Sequence, residues 1–282
     1  MRVLVTGAGG QLGHDVVLAC EAAGDEVVAA DHGRLDVGDR AQVDQAVGGA
    51  RPDVVVHAGA WTAVDACEGD PDRAYRVNAL GTRWVADACR RAGAYLCYVS
   101  TDYVFDGTKD GPYVEWDRAN PRSAYGRSKW GGELEARAAP GASVVRTSWV
   151  CGEHGNNMVK TVLALADRPQ LAFVDDQRGC PSFTADLAVA IRRLAADRLP
   201  GVFHVTNQGS VSWYEFVREI LEVAGHDPDI VKPITTAELD PPRPAPRPAN
   251  SVLDNAALRL AGLPLLPLYH ESLERLVACL TR

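Results

Sequence analysis

The sequence predicts an α/β fold: a doubly wound parallel sheet with a smaller C-terminal lobe. Three observations carry that expectation. Short runs almost continuous in Val, Leu and Ala recur through the first two thirds of the chain, as expected of strands buried on both faces. Longer stretches with helical spacing separate them, so successive strands are joined by right-handed βαβ crossovers. A glycine-rich turn stands directly between the first apolar run and the first helical stretch.

Taken in order, Val3–Thr6 reads as the first strand and Leu12–Ala23 as the helix that follows it. Strands at Glu26–Ala30, Val54–Ala58, Tyr95–Ser100 and Ser143–Thr147 alternate with helices at Arg40–Val47, Pro71–Ala92 and Ser123–Ala138. Past Trp149 the pattern loosens. Helices are expected at Asn157–Ala166, Ala185–Ala196, Trp213–Ala224 and Glu271–Leu280, with a strand at Val202–Thr206. The segment from Asp240 to Pro248 is rich in proline, which fixes φ and removes backbone donors, so it is loop or extended chain. Its Arg243 and Arg247 are either solvated charges or an anion-binding pair. The division expected is a nucleotide-binding domain over residues 1–150 and a lobe over 151–282, with some of the later segments returning to the first domain.

Composition narrows the function classes. The net charge of −8 argues against a nucleic-acid partner or an anionic membrane surface. No stretch reaches the roughly 20 apolar residues of a membrane span, and Met1–Gly7 enters a strand rather than a signal peptide. The seven cysteines show no CxxC or Cys/His grouping and read as small thiols in a reducing compartment. A cytoplasmic protein is expected.

The glycine turn carries the first functional signal. Gly7, Gly10 and Gly13 fit GxxGxxG, whereas GxGxxG fails because Leu12 stands where its last glycine is required. Glycine permits the tight turn, lets backbone N–H groups approach a pyrophosphate, and allows the helix to pack closely on the strand. The helix N-terminus adds favourable partial positive charge. Strand two ends at Asp31, a carboxylate suited to adenosine ribose hydroxyls. Asp31 favours NADH by repelling a 2′-phosphate, while nearby Arg34 favours NADPH, and the choice stays open. The fold is thus a Rossmann-type dinucleotide-binding fold.

The second signal is Tyr125 and Lys129, four residues apart and therefore on one face of a helix. A lysine cation close to a phenol favours the phenolate and lowers the tyrosine pKa towards a useful range. Ser100 and Thr101 end a predicted strand, where ligands of open α/β sheets bind, so Thr101 can hydrogen-bond the substrate oxygen that Tyr125 protonates.

These strings together resemble the extended short-chain dehydrogenase/reductases, and within them the dTDP-4-dehydrorhamnose reductase family. The resemblance runs nearly end to end. It is carried by Gly10-Gln11-Leu12-Gly13, Arg51 to Val55, Thr62 to Asp65 with Glu68, Val77-Asn78-Ala79, and Ser100 to Gly107. Beyond these lie Tyr125-Gly126 with Lys129, Arg146 to Val150, Gly155 to Met158, Asp175-Asp176-Gln177, Gly179 with Pro181, Arg247-Pro248 and Asn250-Ser251.

The resemblance implies Thr101, Tyr125 and Lys129 as catalytic residues. It implies cofactor contacts at Gly7, Gly10, Gln11, Leu12, Gly13, Asp31, Asp36, Val37, Ala58, Gly59, Ala60, Tyr125 and Lys129. Contacts to a nucleotide sugar are implied at Thr62, Thr101, Tyr103 and Trp149, with Asn157 and Arg247 as further candidates. His57 stands where an asparagine is usual, and Trp61 where a smaller or imidazole side chain is usual. Some relatives bind magnesium at a dimer contact. Glu271 and Glu274 lie in that region without convincing ligand spacing, so no metal ligand is assigned, while a homodimer is compatible with the resemblance. Asp175 and Asp176 are expected to organise a loop.

Related dehydratases place an Asp-Glu acid/base pair after the threonine. Here Asp102 is followed by Tyr103, which argues against elimination and for simple carbonyl reduction. The activity implied is NAD(P)H-dependent reduction of the C4 keto group of dTDP-4-dehydro-L-rhamnose to dTDP-L-rhamnose. The alternatives are a 4-ketoreductase for another dTDP-deoxysugar and a non-catalytic, cofactor-binding regulatory subunit of the same fold.

Overall fold

The computed structural model describes residues 1–282. The nucleotide half runs β1 (Arg2–Thr6), α1 (Gln11–Ala22), β2 (Glu26–Ala30), α2 (Arg40–Ala50), β3 (Val54–His57), α3 (Val64–Gly69), α4 (Pro71–Tyr75), α5 (Gly81–Ala92), β4 (Tyr95–Thr101), α6 (Ala124–Arg137) and β5 (Ser143–Thr147). The remainder runs β6 (Val150–Cys151), α7 (Met158–Leu165), β7 (Leu171–Val174), β8 (Arg178–Gly179), β9 (Ser182–Phe183), α8 (Thr184–Ala196), β10 (Gly201–His204), β11 (Val211–Ser212), α9 (Trp213–Val223), β12 (Val231–Ile234), α10 (Ala256–Leu260) and α11 (Tyr269–Leu280).

Six strands form one parallel sheet in the order β10-β5-β4-β3-β1-β2. The doubly wound fold expected from the sequence is present. The chain leaves β1 for β2 on one side and then crosses to β3 on the other, so the order reverses between β1 and β3, where open α/β sheets bind their ligands. Strand side chains alternate between two layers. Val3, Val5, Val54 and Val56 pack on α1 and α8 through Val16, Leu187 and Ile191. Leu4 and Val55 face the opposite way, on Val43, Val47, Val85 and Cys89 of α2 and α5. Each such side chain, fully buried, contributes about 1.5–3 kcal/mol. Thus α8 and β10, from late in the chain, complete the layers of the first sheet.

A separate core of Val159, Val162, Phe216, Val217, Ile220, Leu221 and Leu273 lies among α7, α9 and α11. It is edged by the parallel pair β7–β12. Caps fix several helix starts: Asp39 accepts from the N–H groups of Ala41 and Gln42, Ser123 from Gly126, and Ser212 forms a reciprocal box with Glu215.

The single helix expected over Pro71–Ala92 is not continuous. A π-helical turn at Arg76–Leu80 separates α4 from α5. The turn carries Asn78 inward, where its Oδ1 accepts from Trp61 N (2.8 Å) and its Nδ2 donates to Trp61 O (3.0 Å) and Ser128 Oγ (2.9 Å). A side chain bridging a loop and α6 explains why the regular ladder yields there. Six of the cysteines are buried and all seven are free, with Cys279 exposed. No helix is long and apolar enough to cross a membrane.

Candidate active site

A cleft of about 990 Å³ opens along the C-terminal ends of β1, β3, β4 and β5. Its floor is the glycine turn. Gly7 adopts φ 69°, and a Cβ on Gly13 would lie 2.1 Å from Gly7 O, so α1 sits against the turn at a distance only glycine allows. Gly10 caps α1 without a side-chain hydrogen bond, which leaves first-turn N–H groups facing the cleft. Those features fit a dinucleotide pyrophosphate. Asp31, Asp36 and Val37 line the adjoining wall, with Asp36 Oδ1 accepting from Gly38 N at 2.8 Å. Arg34 lies outside the lining, and its guanidinium turns back towards the carbonyl of Ala29.

Ala58, Gly59 and Ala60 follow β3 along the same wall. Beneath them His57, wholly buried, bridges two hydroxyls: Thr6 Oγ1 at 2.7 Å from Nδ1 and Thr82 Oγ1 at 3.2 Å from Nε2. Thr82 spends its own proton on Asn78 O, so it accepts from Nε2–H, and Nδ1 accepts from Thr6. Burial, helped by the charge of Lys129, holds this imidazole neutral by lowering its pKa to about 3. Thr6 Oγ1 in turn accepts from Gly59 N (3.2 Å), so the departure at position 57 anchors the cleft wall from behind.

Thr101, at the end of β4, and Tyr125 and Lys129, on α6, enter the cleft together. Tyr125 is buried and meets the ring of Tyr103 edge-on, with centroids 5.6 Å apart. Lys129 Nζ donates to Val99 O at 2.7 Å and lies 4.3 Å over the ring of Tyr98. The expectation that Lys129 acidifies Tyr125 is not met. Burial pushes the phenol above its ordinary value, with Thr101 opposing the rise, and burial lowers Lys129 to about 7. Desolvation, which disfavours the charged form of each group, is the largest cause of both shifts. A phenol of that kind stays protonated at neutral pH and is suited to donating a proton. Asp102, which accepts from Thr101 Oγ1 at 3.0 Å, is raised by burial to about 6.

Trp149 and Trp213 close the far wall as parallel indoles 3.4 Å apart. Trp149 has φ 43°, a strained value for a bulky residue, and Gly179 is the reason it fits: a Cβ there would lie 2.4 Å from the indole.

Of the residues assigned to catalysis, cofactor or sugar from the sequence, all line the cleft except Asn157 and Arg247. Asn157 caps α7 and donates to Gln11 Oε1 (2.6 Å), so it braces a cleft residue from outside. Arg247 is engaged by Asp65 through two hydrogen bonds of 2.5 and 2.7 Å, and the pairing holds Asp65 below the usual carboxylate range. Its fork is therefore committed within the chain. Thr62, Tyr103 and Trp149 do face the cleft. Sequence reasoning missed Trp213, Arg73 and His32 in the lining. Arg73 sits 4.5 Å over the ring of Trp61, a cation–π contact no local motif announces. Asp175 and Asp176 organise loops as expected, accepting from Ser212 Oγ and from Thr236. Glu271 and Glu274 join no group of three metal-ligand side chains.

Comparison with known proteins agrees along the whole length. The family described as RmlD substrate binding domain matches residues 1–282. A dTDP-4-dehydrorhamnose reductase of Streptomyces griseus is 43% identical over 278 residues, covering 95% of this chain and 90% of that protein. The structure of a dTDP-4-dehydrorhamnose reductase from Clostridium acetobutylicum superposes with a TM-score of 0.96 at 40% identity, covering 100% of both chains. That of Bacillus anthracis, solved in complex with NADP, gives 0.93 at 39% identity and covers 98% of each. Matched from its first residue to its last, the chain belongs to the RmlD substrate-binding family of extended short-chain dehydrogenase/reductases.

Proposed function

We propose that this protein is an NAD(P)H-dependent oxidoreductase that reduces the C4 keto group of dTDP-4-dehydro-L-rhamnose to give dTDP-L-rhamnose. The observation that carries the reading is one cleft shared by the uncapped glycine turn and by Thr101, Tyr125 and Lys129. Gly7, Gly10, Gln11, Leu12 and Gly13 would hold the pyrophosphate, Asp31 and Asp36 the adenosine side, and Ala58 to Ala60 the middle of the dinucleotide. Bound there, a reduced nicotinamide supplies the hydride. Tyr125 donates its proton to the alkoxide oxygen forming at C4, and Thr101 hydrogen-bonds the same oxygen. Lys129 would hold the nicotinamide ribose. The resulting phenolate is reprotonated from solvent. Thr62, Tyr103 and Trp149 contact the deoxysugar.

Tyr103 in place of a second acidic residue beside Asp102 supports reduction over elimination of water. Residues 1–150 act as the cofactor domain, and residues 151–282 mainly as the sugar-binding lobe. The corresponding reading is a cytoplasmic enzyme, for which the family resemblance is compatible with a homodimer. The test is loss of reduced-nicotinamide absorbance with dTDP-4-dehydro-L-rhamnose as acceptor, followed by product identification. One dTDP-L-rhamnose per cofactor oxidised is expected. Tight NADPH binding without oxidation overturns the enzyme reading in favour of a regulatory subunit, and faster turnover of another dTDP-4-keto-6-deoxysugar overturns the substrate assignment.

A further inference from the structure

We infer that His14, Asp15 and His154 form a binding site for one divalent transition-metal ion of the zinc class, which clamps the segment after β6 onto the start of α1. One potential ligand atom from each of the three residues lies within 4.8 Å of the other two. His14 and Asp15 belong to the second turn's approach on α1, and His154 comes from the bend between β6 and α7. The imidazoles face each other with centroids 3.6 Å apart and planes tilted 39°, and Asp15 Oδ1 is 3.4 Å from His14 Nδ1.

Two imidazoles with one carboxylate make a donor set of intermediate softness, suited to zinc, cobalt or nickel rather than to magnesium. Four-coordinate zinc has ligand bonds of about 2.0–2.1 Å, which places ligand atoms about 3.4 Å apart. Coordination requires the stacked imidazoles to turn until one nitrogen of each points at the same centre. Three protein ligands leave one position for water. The side chains of His14 and Asp15 are 39% and 13% exposed, so an ion can enter and is still partly shielded.

The location gives the ion a consequence. His14 follows Gly13 of the cleft floor, and Gly155, next to His154, packs directly on Gln11. Gln11 Nε2 donates to Val150 O at 3.0 Å, and Asn157 reaches Gln11 from the same segment. An ion at the three ligands adds a coordinate bond to this seam between two remote stretches of chain. Its role is structural and lies outside the catalytic set.

The experiment is titration of tag-free, full-length protein with cobalt(II), read by visible ligand-field absorption and by thermal unfolding. Cys279 needs a control, because its exposed thiol lies against Glu153, the neighbour of His154. One cobalt per chain is expected, without a thiolate charge-transfer band, and unchanged in Cys279→Ser. His14→Gln and His154→Gln, with wild-type circular dichroism, should each weaken binding by roughly tenfold or more, the cost of losing one ligand or its orientation. The metal should raise the wild-type melting point and leave both variants unmoved. Absence of uptake in excess metal, binding unchanged in both histidine variants, or binding abolished by Cys279→Ser would each overturn the site.

Discussion

Replacing Arg146 by methionine should cost about 3–5 kcal/mol, because it strands a carboxylate that has almost no other support. Arg146 and Glu133 are 2% and 0% exposed, and the guanidinium grips the carboxylate through Nε and Nη2 at 2.8 and 2.7 Å. The only other donor to Glu133 is Ser100 Oγ, at 2.6 Å. A Coulomb gain in such a place mainly offsets desolvation, so the intact pair contributes little net stability, whereas half of it is expensive. At about 2–4 °C per kcal/mol for a chain of this size class, the thermal midpoint of Arg146→Met should fall by about 6–20 °C. Adding Glu133→Gln removes the stranded charge, so the double variant should melt well above the single one. Differential scanning calorimetry at neutral pH decides the matter. A single variant within about 2 °C of wild type, or a double variant no more stable than the single, would refute the reasoning.

Three further outcomes are expected. Tyr125→Phe should lower turnover by about 10²–10⁴ while leaving NADPH affinity intact, measured by steady-state rates alongside a fluorescence titration. Gly13→Ala drives a methyl group to 2.1 Å from Gly7 O and should weaken NADPH binding by roughly tenfold or more, with the same titration as its check. His57 is neutral in the fold, with a pKa lowered by burial to about 3 from 6.5. The unfolded chain therefore takes up a proton first as the pH falls. Stability present above 6.5 is lost between there and about 3, on the order of 5 kcal/mol in all. His57→Asn should accordingly flatten the dependence of melting temperature on pH between 7.5 and 4.5, and an unchanged slope would count against the neutral imidazole.

The nucleotide half was readable because its strands are largely apolar runs of four to seven residues with a helix between each pair, a pattern fixed by burial on two faces. The short strands of the second half were not. Two residues, as in β8, β9 and β11, are too few to show alternation, and the β7–β12 pair joins segments sixty residues apart and includes Pro233. The π turn at Arg76–Leu80 was hidden because inserting one residue leaves the surrounding apolar spacing close to helical. Site residues borne on motifs reached the cleft, from Gly7 through Lys129. Arg247 and Asn157 lie outside the cleft lining for a common reason. Each side chain is claimed by a partner more than a hundred residues away, Asp65 and Gln11 respectively, and such a claim leaves no local trace. The sign of the Tyr125 shift was missed because helical spacing reports proximity to Lys129 but says nothing of how completely both groups leave water.

The paired indoles of Trp149 and Trp213 give the protein a built-in optical gauge. Strong transition dipoles held this close couple, so the far-ultraviolet circular dichroism of this chain should carry, in the region of the intense indole band, an exciton couplet that either tryptophan alone lacks. Any molecule that parts or tilts the rings must change that couplet. A ligand that separates the two indoles at the cleft wall can therefore be followed in unlabelled protein.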